Sequence, residues 1–147
     1  MRSSTRRRPK SPLRRASDRG RVARDSSLIL VVEDNDGARA TAEMILLVEG
    51  YDVITARNGE EALRALARRR PAAILCDLNM PVVDGWTFRR LQLAMPEIAA
   101  IPFVVVSASL DLYEEAAALG ADMALRKPIE ADDLVRCARR FAPLAGG

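Results

Sequence analysis

The sequence contains no histidine and only two cysteines, Cys76 and Cys137. Without an imidazole, histidine general-base catalysis, a Ser-His triad, imidazole metal ligation and service as a phosphohistidine donor are all excluded. Two thiols support neither a disulfide framework nor a cysteine-rich zinc site. With no secretory signal, reduced thiols in a cytoplasmic protein are the expectation. Long hydrophobic runs are also missing: the longest apolar stretches are strand length, so no transmembrane helix and no membrane partner are expected. The basic start followed by Leu28–Val32 mimics a signal peptide only superficially. Its apolar region is five residues long and ends in Glu33-Asp34, too short and wrongly flanked.

What is present divides into two compositions. The 147 residues are 49% apolar, enough for one domain with a real core. Residues 1–25 hold ten basic residues against Asp18 and Asp25, a net charge of +8, whereas the rest holds 13 basic and 18 acidic, a net charge of −5. The Arg-, Ser- and Pro-rich start has few large apolar side chains and cannot offset its ordering entropy. Residues 1–26 are therefore expected to be a disordered basic tail, and 27–147 the folded domain. Clustered arginines in the tail also suit salt-sensitive, sequence-blind contact with polyanions, the one nucleic-acid role compatible with the chain.

From Leu28 onward, short apolar runs alternate with amphipathic segments. Strands are expected at Leu28–Val32, Asp52–Ala56, Ala73–Asp77, Phe103–Ser107 and Met123–Arg126. The first helix follows an Asn35 or Asp36 cap, carries Ala38, Ala42, Ile45 and Val48 at helical spacing, and stops at Gly50. The second begins after Asn58, with Glu60-Glu61 in its first turn and Arg68-Arg69-Arg70 in its last, complementing the helix dipole before Pro71. The third starts after Asp84 with Phe88, Leu91 and Met95 on one face. The fourth spans Leu112–Leu119 and ends at Gly120, and the fifth runs from Ala131 to Phe141. Five strand–helix units in strict alternation imply an α/β fold with a parallel sheet covered on both faces. Only six residues follow Phe141, so a stand-alone module without an effector domain is expected.

Asp77 ends the third strand and precedes the irregular Leu78-Asn79-Met80-Pro81-Val82-Val83-Asp84-Gly85 loop. Open α/β sheets carry their chemistry at the C-terminal ends of strands. Glu33-Asp34 ends the first strand, Ser107 the fourth, and Lys127-Pro128 follows the fifth. Carboxylates about 5 Å apart repel by roughly 3 kcal/mol per pair at an effective dielectric near 20, so such a cluster needs a cation. Hard oxygen ligands with neither imidazole nor thiolate favour Mg²⁺, with a loop carbonyl, that of Asn79, as a further ligand. Lys127 is the only lysine outside the tail, among twelve arginines. A compact point charge kept there suits a short contact to a carboxylate or phosphoryl oxygen. With Ser107 adding a hydroxyl, the set suits in-line phosphoryl transfer with Asp77 as nucleophile. Cys76 is expected to pack in the core, and Trp86 to pack at the start of the third helix.

These motifs together (Val32-Glu33-Asp34, Asp77-Leu78-Asn79-Met80-Pro81 with Asp84-Gly85, Val106-Ser107-Ala108, Gly120-Ala121-Asp122 and Lys127-Pro128) resemble the receiver domain of two-component response regulators. The likeness covers about Ser27 to Ala142. It implies a flavodoxin-like (βα)5 doubly wound sheet in strand order 2-1-3-4-5. It also implies phosphorylation of Asp77 by the phosphohistidine of a histidine kinase or histidine phosphotransfer protein, with Mg²⁺ on Glu33, Asp34, Asp77 and the Asn79 carbonyl. Ser107 and Lys127 would grip the phosphoryl oxygens, Lys127-Pro128 would be cis, and Asn79 and Ser109 would tune autodephosphorylation. Output would pass to an unknown downstream protein target.

There are two departures from the pattern. Ala124 stands where such domains usually carry Tyr or Phe, and the segment from Ser107 to Lys127 is about two residues short of the usual length. Tyr113 is one candidate to stand in for the missing ring; a buried or surface tyrosine is the plainer reading. The alternatives are a degenerate receiver that binds proteins without phosphorylation, and an aspartyl-nucleophile phosphatase. Against the latter stands Asn79, where such enzymes need a second acid. The chain is otherwise expected to be no enzyme beyond its own phosphotransfer and autodephosphorylation.

Overall fold

The computed structural model describes residues 22–144; residues 1–21 and 145–147 lie outside the described residues, and with them most of the expected tail and its polyanion contact. Strands β1 (Arg24–Val32), β2 (Asp52–Ala56), β3 (Arg70–Asp77), β4 (Phe103–Ser107) and β5 (Met123–Arg126) are all parallel. Between and after them come α1 (Asp36–Val48), α2 (Gly59–Arg68), α3 (Gly85–Ala94), α4 (Pro96–Ala99), α5 (Leu112–Ala118) and α6 (Ala131–Phe141). The strand order β2-β1-β3-β4-β5 is the flavodoxin-like doubly wound order.

Leu28 through Val32 are buried to a residue because both faces of their strand are covered. Ile29 and Val31 pack with Ala42 and Leu46 of α1 and Leu134, Cys137 and Ala138 of α6. Leu30 and Val32 face the other way, onto Ala62 and Leu66 of α2, Phe88 of α3 and Leu112 of α5. Each fully buried Leu, Ile or Phe in these two layers contributes about 1.5–3 kcal/mol. Three loops hand over to helices through caps. The side chains of Asn35, Asn58 and Asp84 accept from the N–H groups of Ala38, Glu61 and Thr87, each worth about 1 kcal/mol. Gly50 and Gly120 sit at φ 101° and 63° just beyond α1 and α5, a conformation that a Cβ disfavours.

Several expectations are corrected. β1 begins at Arg24, so its first three residues fall inside the segment expected to be tail, and β3 begins at Arg70 rather than Ala73. Arg24 pairs with Arg70 and Asp25 with Pro71 before the register shifts, and Arg69 Nη2 lies 2.9 Å from Asp25 Oδ2. Pro71 forces the residue before it into extended backbone, which takes Arg70 out of the helix and into the strand. Among the described residues there is also a sixth helix, α4, one turn long with Pro96 at its start.

Phe88 of α3 is buried as expected, but Leu91 and, just beyond the helix, Met95 are exposed, and Arg89 and Gln92 are buried in their place. The Gln92 amide donates to the carbonyls of Ile98 (2.9 Å) and Ile101 (3.0 Å), while Arg89 donates to those of Leu119 (3.0 Å) and Gly120 (2.9 Å). Arg89 also lies 4.7 Å from the centre of the Phe103 ring. The carbonyls of Ile101, Leu119 and Gly120 find donors here, and that of Ile98 gains one beyond the Ile101 N–H; satisfying buried polar groups in this way overrides apolar periodicity. Val48 is 77% exposed, with Leu46 buried in its place, and Trp86 is 37% exposed rather than packed.

Candidate functional site

The sheet register assembles the site. Val32 pairs with Cys76, Asp77 with Val106, and Ser107 with Arg126. Glu33, Asp77, Ser107 and Lys127 therefore emerge on adjoining strand ends. Glu33 continues the ladder through its N–H to Ala56 O (2.9 Å). Its carboxylate accepts from the Asn35 N–H (3.0 Å), and Arg39 Nη1 holds its carbonyl at 2.9 Å while pairing with Asp36 at 2.6 Å. Neither Asn35 nor Arg39 stands out in the sequence as part of the site. The only signal is the i, i+3 spacing of Asp36 and Arg39, a common surface pattern.

Glu33 and Asp77 are buried while Asp34 faces solvent, and one oxygen from each of the three can lie within 4.8 Å of the others. Lys127 Nζ sits 2.8 Å from Glu33 Oε1 and 3.3 Å from Asp77 Oδ2. The Asn79 N–H donates to Asp77 Oδ1 at 3.3 Å. Burial pushes the Asp77 carboxyl up to about 6, the negative charge of Glu33 adds to the rise, and Lys127 opposes both. Burial pulls the Lys127 ammonium down, but its contacts with Glu33 and Asp77 outweigh this and hold it above the ordinary lysine value.

The loop after Asp77 is shaped by two close approaches. A Cβ on Gly85 would lie 2.6 Å from Asp77 O and 2.7 Å from Leu78 Cα, so only glycine lets α3 start against the end of β3. A Cβ on Gly59 would meet Val83 Cγ1 at 2.5 Å; the Gly59 N–H instead donates to Val83 O at 2.9 Å, tying the loop to α2. Between them Val82 stands at φ 69°, a left-handed conformation that costs a β-branched residue energy.

Ser107 is buried at the same rim, where its Oγ accepts from the Ser109 N–H at 3.0 Å. Cys76, one residue before Asp77, lies in the core with its thiol pushed well up by burial and by Asp77, as core packing requires. Lys127-Pro128 is cis. Ala124 is half-buried in a groove of about 480 Å³ bordered by Tyr113, Arg126 and Arg136. Tyr113 is a surface residue, 66% exposed, with the Arg126 guanidinium 5.8 Å from its ring centre.

A divalent cation fits this donor set. Three carboxylates converge and Lys127 is the one cation touching them among the described residues, which leaves excess negative charge. The side-chain donors are all oxygen, one acid is open to solvent, and hard oxygen ligands of this kind suit Mg²⁺. Among the described residues, no helix is long and apolar enough to cross a membrane.

Comparison with known proteins agrees with this geometry. Residues 29–139 match the response regulator receiver domain family. The chain is 39% identical over 112 residues to the transcriptional regulatory protein PrrA of Mycobacterium tuberculosis, covering 75% of this chain and 47% of PrrA. It thus spans about half the length of that relative. Protein PilG of Pseudomonas aeruginosa is 31% identical over 121 residues, covering 81% of this chain and 90% of PilG. Among solved structures, the receiver domain of the sensor histidine kinase PA1611 from Pseudomonas aeruginosa superposes with a TM-score of 0.73 at 31% identity. It covers 80% of this chain and 98% of its own, and holds a magnesium ion coordinated in its active site cleft. The family match extends over most of the sequence and reaches all five strands of the sheet, and the chain belongs to the response regulator receiver domain family of two-component signalling.

Proposed function

We propose that the chain is a single-domain response regulator of the cytoplasm. Its Asp77 takes a phosphoryl group from the phosphohistidine of a histidine kinase or histidine phosphotransfer protein, and it signals through contacts with a downstream protein. The observation that carries this reading is the convergence of Glu33, Asp34 and Asp77 with Lys127 3.3 Å from Asp77 Oδ2.

Asp77 is the nucleophile because it sits centrally, between the acid pair after β1 and the lysine after β5. Its carboxylate oxygen forms a bond to phosphorus as the phosphorus–nitrogen bond to the donor imidazole breaks, and the electron pair of that bond stays with the imidazole. Lys127 already contacts Glu33 and Asp77 and offsets part of their charge, and its ammonium is placed to pair with an oxygen of the incoming group. Ser107 offers its hydroxyl hydrogen to a second phosphoryl oxygen. Glu33, Asp34, Asp77 and the Asn79 carbonyl would hold Mg²⁺, which when bound offsets negative charge on carboxylates and phosphoryl oxygens. The chain acts on itself alone, in phosphotransfer and in later loss of the phosphoryl group.

The test is intact-mass measurement after incubation with acetyl phosphate and Mg²⁺. A gain of one phosphoryl group is expected, absent in Asp77→Asn. No Asp77-dependent gain, under conditions where a known receiver reacts, overturns the reading. The small side chain at Ala124 favours a second reading, a receiver that binds its target without phosphorylation. That reading predicts unmodified protein in the same experiment.

A further inference from the structure

Arginines gather where the strands begin, at the end of the sheet opposite the acids. Arg24 opens β1 and pairs with Arg70, which opens β3. Arg68 ends α2 and Arg69 caps it, and Arg24, Arg68 and Arg69 are all exposed. Little acid opposes them. Asp25 is fully engaged: its Oδ1 accepts from the N–H and the hydroxyl of Ser27, both at 3.2 Å, and its Oδ2 from Arg69 at 2.9 Å. Among the described residues, no acid pairs with Arg24 or Arg68. The sequence before β1 continues the same charge. Residues 1–23 add nine basic side chains, eight of them arginine, against Asp18 alone, with no aromatic ring and only Met1, Leu13 and Val22 as large apolar residues.

We propose that Arg24, Arg68 and Arg69 form, together with the basic residues that precede them in sequence, one sequence-blind site for the phosphodiester backbone of duplex nucleic acid. This site is independent of the reading of Asp77. The guanidinium fork matches a phosphate with two parallel N–H···O bonds, which an ammonium cannot do, and arginine is the cation used here almost throughout. A protein partner would need an apolar or aromatic anchor buried at the centre of the interface. A membrane surface would need inserted apolar side chains or a lipid chain. Residues 1–23 have too few apolar side chains for either, whereas phosphate neutralisation with counterion release needs none. The acid site does not interfere. Arg70 and Asp77 stand at the two ends of β3, roughly 23 Å apart at about 3.3 Å per residue. That is more than twice the Debye length of about 8 Å at physiological salt, so a polyanion at the arginine end is not repelled by the acids and both ends can be occupied at once.

Titration of the full chain into fluorescein-labelled DNA and RNA duplexes of mixed sequence, followed by anisotropy, tests the site. Binding is expected to weaken about 10³-fold or more between about 50 and 200 mM salt, as six or more phosphate contacts require, and to change little when the sequence is shuffled. The tighter of the two duplexes identifies the nucleic acid. Arg24→Gln combined with Arg68→Gln, two exposed positions whose loss leaves the circular dichroism unchanged, is expected to make the DNA salt slope shallower by about 1.8, about 0.9 for each lost contact. Arg136→Gln, an exposed arginine in the groove beside Lys127 at the other end, is expected to leave the slope as it is. No binding to either duplex at the lowest salt overturns the proposal. A slope unchanged in the double variant also overturns it, since the folded arginines then take no part. Tighter binding to phosphatidylcholine–phosphatidylserine vesicles than to either duplex, at equal phosphate and salt, overturns it in favour of a membrane surface. The acetyl phosphate mass gain is expected to be the same in the double variant as in wild type, so failure here leaves the phosphoacceptor reading standing.

Discussion

Replacing Asp77 by Asn removes the proposed reaction and, by the geometry, stabilises the fold. Asp77 is 4% exposed, and burial together with Glu33 raises its carboxyl from 3.8 to about 6 in spite of Lys127. At 1.36 kcal/mol per unit, holding this group ionised costs the folded state about 3 kcal/mol well above pH 6. Asn keeps the shape and an oxygen for the Asn79 N–H but pays part of that back in desolvation of its amide, so a net gain of about 1–3 kcal/mol is expected. The sign of the pH dependence follows from a folded-state value above the unfolded one. The folded protein binds more protons than the unfolded chain between pH 4 and 6, so wild-type stability falls as pH rises through that window. The advantage of Asp77→Asn is therefore small near pH 4 and full above pH 6. Urea unfolding followed by circular dichroism, in EDTA and over that pH range, measures it. A variant no more stable than wild type at pH 8, or an advantage that does not grow between pH 4 and pH 8, refutes the reasoning. Mg²⁺ is expected to narrow the gap, because it stabilises the folded state only where the acid cluster is whole.

Other perturbations test the frame around the site. Val82 is 75% exposed and at φ 69°, so Val82→Asn loses little burial and relieves strain, raising unfolding free energy by about 1 kcal/mol; a loss would show the loop to be otherwise held. Gly85→Ala forces a Cβ to within 2.6 Å of Asp77 O and is expected to cost about 3 kcal/mol or more by the same assay. Gly37→Ala in α1 is its control. There the nearest atom is Asn35 Oδ1 at 3.4 Å, and a gain of up to about 1 kcal/mol is expected from helix propensity. Cys137 has its thiol pushed up to about 12 by burial, and Cys76 is fully enclosed. Neither is expected to react with a thiol reagent before unfolding, and rapid labelling of native protein at pH 8 would contradict their placement.

The chemistry of this protein is legible in its residues one at a time. Absence of histidine, one lysine in the folded part, acids after Val32 and Cys76, and caps at Asn35, Asn58 and Asp84 all report local facts: what a side chain can donate, accept or neutralise. Strand–helix alternation follows as directly, since apolar runs at Leu28–Val32 and Val104–Val106 have no other way to leave water. What the alternation leaves open is adjacency. Glu33 and Asp77 are 44 positions apart, and they meet because β1 and β3 pair in register, a long-range choice made by the whole sheet.

Tertiary structure also decided where periodicity misleads. Leu91 and Met95 share a helical face with Phe88, yet the protein turns Arg89 and Gln92 inward to satisfy carbonyls at Ile98, Ile101, Leu119 and Gly120. Those carbonyls are set by neighbouring turns, and no helical wheel registers them. Arg24 and Arg70 begin strands despite their charge because each supplies the other's backbone partner beside the Asp25–Arg69 ion pair. The same holds where the loops after β4 and β5 meet at the site. Ala124 shows in the sequence only that a ring is missing. That Ser109 gathers Ser107, Glu115 and Arg126 around one residue is a product of three loops closing on one another. The residue types therefore determined which chemistry is available. Packing and hydrogen-bond satisfaction between distant segments decided which side chains meet to perform it.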